Sequence, residues 1–438
     1  MEKRSHRRIK GWLFAVAVAG TVLAAGCGSS SEELLEDEDG TLQAEQEKST
    51  PFASCYGRIF DLQEVTEVYR DSYEETFSSN MAGGLETVKR IVNGLGACGY
   101  VAVDDENQVN MTHADQVIAF CGAADRQSAD GMRDSSQQDK DGAELTMVEV
   151  TDTGGLVNYN LKAEAGDMDV SKTYYQYQNG RLEKKETCSF TADSWAYTEE
   201  GYLLFAGSYF SEDYYVLTLS DASEQAAFRV EPLDEACREQ NRKYIRPVGY
   251  RKNSLFLTDW SGEDFGSLNF YDLFDCFYPL VYQQPVPYVM DENLGVGAVY
   301  RIPAELFEQV ILAYIEIDRE SLRSRTVYVP EDQTYEYKPR GFYEMEYPEI
   351  PYPEVVGCTQ NPDGTITFQV NAVYPDGNTS RAFSHETVIR PLEDGSFRYV
   401  SNRMCASPAS DGVKEARMWW HADRLTEEEW EKAYGESP

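Results

Sequence analysis

Residues 172–191 read KTYYQYQNGRLEKKETCSFT. Two runs of alternating polarity flank Asn179-Gly180. Alternation at period two puts one set of side chains on each face of a strand. Asn followed by Gly tolerates the positive φ needed at both central positions of a two-residue hairpin turn. The stretch therefore predicts an antiparallel hairpin. From Leu145 onward the period remains two, with strands expected at 145–151, 156–162, 172–178, 183–191, 201–206 and 213–219. Glu199-Glu200-Gly201 supplies a weaker turn. No helical run separates these strands, so a meander is expected in place of βαβ units.

Upstream of the meander the period becomes helical. Leu62, Val65, Val68 and Tyr69 share one face of a helix over 58–78, and Leu85, Val88, Ile91, Val92 and Leu95 share one face of a helix over 84–94. Gly94 and Gly96 are expected to end the second helix. Tyr100–Val103 reads as a short strand. Thr112 is placed to cap a helix carrying Val117, Ile118 and Phe120, and the polar, Gly/Ser/Asp-rich residues 122–143 read as a loop.

Downstream, Pro303 stands at the first turn of a helix over Ala304–Ile315, with Leu306, Val310, Ile311 and Tyr314 inward. Residues 335–354 are rich in Tyr, Pro and Glu and read as extended. Strands follow at 354–360, 364–374, 381–391 and 396–401, with turns at Asn361-Pro-Asp-Gly364 and Pro375-Asp-Gly377. Thr426 caps a last helix. The whole predicts an α+β fold: antiparallel β-meander sheets with a few packed helices, in two domains at 53–299 and 300–438.

The N-terminus predicts location. Lys3, Arg4, Arg7, Arg8 and Lys10 precede an uncharged stretch, Gly11–Gly26, which ends Leu23-Ala-Ala-Gly-Cys27. Basic head, apolar middle and small residues before a cut form a secretory signal over 1–26. The cysteine directly after it makes the segment resemble a bacterial lipoprotein signal, which implies that Cys27 receives lipid. Ala24 stands where such signals usually carry leucine. Residues 27–52 are acidic and poor in apolar side chains, and read as a disordered tether. Removing residues 1–26, with five Lys/Arg and one Glu, takes the formal charge from −37 to −41. A surface so negative excludes nucleic acid as a partner.

Few motifs carry chemistry. Gly94-Leu-Gly96-Ala-Cys-Gly99 fits GxGxxG, but its order is helix, glycines, strand, the reverse of a dinucleotide site. Asp104-Asp105-Glu106-Asn107 has oxygen ligands for Ca²⁺ yet lacks the glycine and distal Glu of an EF-hand loop, so a solvated turn is favoured. His385-Glu386 has no second histidine at zincin spacing and falls in a strand pattern. His113, His385 and His421 stand far apart, and no metal site is expected. Eight cysteines besides Cys27 leave the choice between disulfides and buried thiols open. Trp419-Trp420-His421 is the most conspicuous aromatic cluster. Packing of the last helix is its plainer use, and stacking on a sugar the sharper one. No GxSxG elbow or GxxxxGK[ST] loop occurs, and 76 carboxylates leave no glycosidase-type pair identifiable.

Three runs carry a family resemblance: Asp363-Gly-Thr-Ile-Thr-Phe-Gln-Val-Asn-Ala-Val373, Ala382-Phe-Ser-His385 and Gly395-Ser-Phe-Arg-Tyr-Val-Ser-Asn402. Trp195-Ala-Tyr-Thr-Glu-Glu-Gly-Tyr-Leu-Leu204 adds to it. Together they resemble an uncharacterised cell-surface lipoprotein family of gut Clostridia, a domain of unknown function. The resemblance implies a setting and no activity. The favoured reading is a membrane-anchored extracellular lipoprotein without catalysis or cofactor, binding a glycan or envelope protein through aromatics such as Trp419 and Trp420. A surface hydrolase with a carboxylate pair is the second reading, and a transporter solute-binding protein the third.

Overall fold

The computed structural model describes residues 54–78, 84–130, 142–164, 166–211, 215–216, 221–288, 299–338, 351–375 and 377–405. Residues 1–53, with the expected signal and tether, residues 131–141 and 339–350, and Trp419, Trp420, His421 and Thr426 lie outside them.

The α+β expectation holds. The hairpin of residues 172–191 forms as read: β5 (Asp167–Gln178) pairs antiparallel with β6 (Arg181–Tyr197), and Asn179 and Gly180 both take positive φ, 53° and 77°. β3 (Ala143–Val150), β4 (Gly155–Glu164), β7 (Tyr202–Tyr209) and β8 (Ala222–Arg229) extend the meander on either side, in the order β3-β4-β5-β6-β7-β8. Two short parallel strands, β1 (Ser54–Tyr56) and β2 (Val101–Asp104), pair with β3.

β6 is long because it serves two ladders. Its first part pairs with β5 and its end pairs with β7, with register shifts near Tyr174 and between Ala192 and Ser194. The sheet therefore curls until β4 faces β7 and β8: Tyr159 meets Phe228 edge-on at 5.2 Å and Phe205 at 6.1 Å. Gly207 sits at the bend because any Cβ there would lie 2.5 Å from the Phe190 ring. Met147, Tyr159, Leu161, Val170, Phe205 and Phe228 fill the curl. The outer side of β3 and β4 packs α1 (Leu62–Ser78) and α2 (Leu85–Ala97) through Val65, Tyr69, Ile91, Val92 and Leu95.

Several local expectations change. Leu62 is 40% exposed. α2 runs through Gly94 and Gly96, where a Cβ would lie 2.8 Å from Val68 and 2.4 Å from Thr112; the chain reverses at Gly99, φ +92°. The two glycines allow close packing and do not end the helix. Thr112 does not cap its helix. Its Oγ1 accepts from Ala102 N–H (2.9 Å) and donates to the Tyr100 carbonyl (2.7 Å), which ties it to β2. α3 (Ala114–Asp130) continues into the expected loop, because Val117, Phe120, Cys121 and Ala124 prolong one buried face while Ile118 points out. Only Tyr215 and Val216 of the expected strand 213–219 are described, and they are helical; the next strand is β8.

A second core gathers α4 (Glu235–Gln240), α5 (Phe270–Tyr282), α6 (Ala304–Tyr314), α7 (Arg319–Ser324) and a four-stranded sheet. Between them run β9 (Tyr300–Pro303), β10 (Tyr328–Val329) and β11 (Thr334–Tyr337), which form a small antiparallel sheet. The four-stranded sheet is the expected meander: β12 (Tyr352–Gln360), β13 (Ile366–Tyr374), β14 (Thr379–Pro391) and β15 (Phe397–Cys405). Leu233–Tyr278, which the sequence reading placed with the first domain, shares a core with Ile302–Tyr399. Tyr202, Leu204 and Val373 pack across the seam between the cores. Tyr69, Tyr100, Tyr202, Tyr335, Tyr337 and Tyr399 are all buried, so packing accounts for much of the tyrosine.

Candidate functional site

Beyond the part covered by α1 and α2, the alternation that buries the inner face of the curled sheet makes its outer face polar. Across β3, β4, β5 and β6 the register aligns two rows on that outer face. One row is Thr146, Asn160, Ser171 and Ser189; the next is Glu144, Lys162, Asp169 and Thr191. Together they line an open groove of about 670 Å³, with Phe190 its one aromatic lining residue.

The rows are tied by their own hydrogen bonds. Thr146 Oγ1 donates to Asn160 Oδ1 at 3.0 Å, Ser189 to Ser171 at 3.0 Å, and Thr191 to Asp169 at 2.6 Å. Thr173 and Thr187 continue the pattern at 3.1 Å. Hydroxyls and amides both donate and accept, so this face can exchange hydrogen bonds with a neutral polar ligand. The Glu164 carboxylate, 2.8 Å from Lys162, holds that ammonium above its usual range. Lys162 stands between Glu144 and Asp169 in their row, so these acids do not face each other as a catalytic pair. No histidine lines the groove. The carboxylate in contact with a groove hydroxyl is that of Asp169, which accepts from Thr191.

The residues singled out from sequence lie elsewhere. Asp104 accepts the N–H groups of Gln108 (2.8 Å) and Val109 (2.7 Å), and burial pushes its carboxyl up. Asn107, at φ 54°, donates to the Ala227 carbonyl (2.9 Å) and accepts from Arg229 N–H (2.8 Å). Asp104 and Asn107 thus close a structural turn. Among the described residues no group of three or more His, Cys, Asp or Glu is placed to hold a metal. His385 is buried within a closed set of partners. Its Nδ1 lies 2.9 Å from Asn402 Oδ1 and its Nε2 3.0 Å from the Tyr250 hydroxyl. Burial lowers its pKa to about 3. Cys98, Cys121, Cys188, Cys237, Cys358 and Cys405 are free thiols.

At the seam, Arg229 and Glu354 pair at 2.8 Å, and the Tyr202 hydroxyl donates to Glu354 at 2.7 Å. Burial pushes the Glu354 carboxyl up while Arg229 pulls it down. This pair joins the two cores and is closed to solvent.

Sequence reasoning missed the groove because it looked for motifs. The available signal was the alternation Asn158/Asn160, Ser171/Thr173 and Thr187/Ser189/Thr191, short polar residues on one face of three adjacent strands. A model of a family of unknown function, DUF6070, matches residues 59–416. No curated protein and no solved structure matches the chain.

Proposed function

The chain belongs to the family of unknown function DUF6070, and we propose that it is a lipid-anchored lipoprotein of the extracellular membrane face that binds an envelope glycan without turning it over. The anchor is Cys27, after the signal of residues 1–26, with residues 27–52 as the tether; the cell-surface setting is that of the clostridial family the sequence resembles. Among the described residues no helix is long and apolar enough to cross a membrane. One acyl chain alone gives only reversible binding, so stable anchoring at Cys27 takes more than one.

The observation that carries the binding role is the groove. Its two rows offer paired donors and acceptors to a polyhydroxylated ligand. The groove offers a hydroxyl and amide surface; the aromatic surface expected from sequence, with Trp419 and Trp420, lies outside the described residues.

The test is a glycan and envelope-fragment array read with the wild type and Ser171→Trp, which fills the groove from a solvent-facing position. Binding should fall at least tenfold with the melting temperature unchanged. Equal binding by both proteins would remove the groove from the account. Turnover of a polysaccharide, lost on changing one carboxylate, would replace it with the hydrolase reading. Cys27→Ala should abolish labelling by a fatty-acid probe.

A further inference from the structure

Inside the curl, opposite the groove, lies a set of reactive groups that the binding reading does not use. Lys172 on β5 has no solvent-exposed side-chain surface, and its Nζ is in contact with Glu224 Oε2 on β8, whose side chain is 11% exposed. The pair comes from strands that are not neighbours and meets only because the sheet curls. Nζ and Oε2 touch without hydrogen-bond geometry. Around them stand Tyr174 and Tyr209, their ring centroids 5.0 and 5.9 Å from Nζ. Tyr159 lies opposite Lys172 in the β4–β5 register.

A third group is the Glu149 carboxyl. It accepts from the Tyr159 hydroxyl at 3.2 Å. Both members of the pair act on it electrostatically, Lys172 lowering and Glu224 raising its pKa. Burial is the larger cause and pushes it up to about 8.

We propose that Lys172 and Glu224 are joined by an intramolecular isopeptide bond, with Glu149 moving the protons. A buried ion pair must offset the desolvation of both charges. The step requires the neutral pair, with the amine's proton carried by the Glu224 carboxyl. Contact enforced by the curled sheet supplies the proximity that a bimolecular condensation lacks. Nζ attacks Cδ of Glu224. The tetrahedral centre loses hydroxide, which takes a proton from Glu149 and leaves as water; the nitrogen returns a proton to Glu149. One C–N bond forms, one C–O bond breaks, one water departs, and no oxidant or nucleotide is needed. Glu149 must be protonated to begin, as its raised pKa provides at neutral pH.

The bond would tie β5 to β8 and lock the curl, whichever ligand the groove takes. The test is peptide mapping of the full-length protein after denaturation and trypsin digestion. The proposal expects a branched peptide joining the Lys172 and Glu224 segments, one water lighter than their sum, with cleavage after Lys172 blocked. Linear peptides of unmodified mass, cut after Lys172, would overturn it. Glu149→Gln should convert the branched peptide to the linear pair; a branched yield equal to the wild type would remove Glu149 from the step.

Discussion

Each core buries a polar cluster, and the two clusters differ in kind. The one around His385 in the C-terminal core is neutral: His385 shares Asn402 Oδ1 with the Thr387 hydroxyl (2.8 Å), Asn402 Nδ2 donates to the Thr258 carbonyl (2.9 Å), and Tyr250 completes the ring nitrogens. His385 also stacks on Phe256 with centroids 5.2 Å apart. The N-terminal core buries ionisable groups, Lys172 and Glu224, beside Glu149. Neutral partners that satisfy each other avoid the cost of desolvating charge. Charged ones are stable only while every partner remains, unless the pair condenses to a neutral amide. The first arrangement serves as a rigid strut; the second has chemistry available to it.

The largest effect should come where the cores meet. Arg229→Ala leaves Glu354 buried without its cation, and chemical denaturation should show a loss of about 3–5 kcal/mol. A loss below about 1 kcal/mol would mean that the seam is wet.

The pH response comes next and separates the cores by sign. His385 has a folded pKa below its unfolded value, so its contribution is present above about 6.5 and is lost as pH falls toward 3. By about pH 4 the loss approaches 3 kcal/mol, and His385→Gln should remove that part of the acid slope. Glu149 has a folded pKa above its unfolded value. Its contribution is present below about 4.5 and is lost as pH rises through about 8. Glu149→Gln should remove the fall between about 4.5 and 8, on top of a pH-independent loss from the missing cross-link, and leave the His385 acid slope unchanged. Slopes of the same sign would break the comparison.

Asn402→Ala removes the acceptor shared by His385 and Thr387 and should cost about 1–3 kcal/mol in urea unfolding. The smallest effect belongs to the hairpin. A Cβ at Gly180 meets nothing within 4 Å, so Gly180→Ala isolates the backbone strain at φ 77°. It should cost about 1–2 kcal/mol without altering the spectrum of the folded state.

The hairpin of residues 172–191 was legible because its pattern is local: period two and Asn-Gly suffice. The same holds for the strands of the C-terminal sheet, each bounded by Pro/Gly turns. The curl was not legible. It depends on β6 changing partners and on Gly207 meeting Phe190, and neither contact leaves a mark at short range. α3 was cut short because Gly122 and the polar residues after it have loop composition, while Cys121 and Ala124 pack through tertiary contact. The groove was half legible, since alternation marks a polar face without saying which strands align. The Lys172–Glu224 pair was hidden altogether, because ionisable residues in a strand read as solvent-facing until the sheet closes over them.

The functional account turns on where the ligand sits. Lys162 lines the groove with 46% of its side chain exposed, whereas Lys185, 45% exposed, lies beyond it on β6. The direct measurement is acetylation of both lysines, read by mass spectrometry, with and without the glycan selected on the array. The account predicts that ligand slows Lys162 at least several-fold and leaves Lys185 unchanged. Lys162 reacting at the same rate under saturating ligand would place the binding site elsewhere and contradict it.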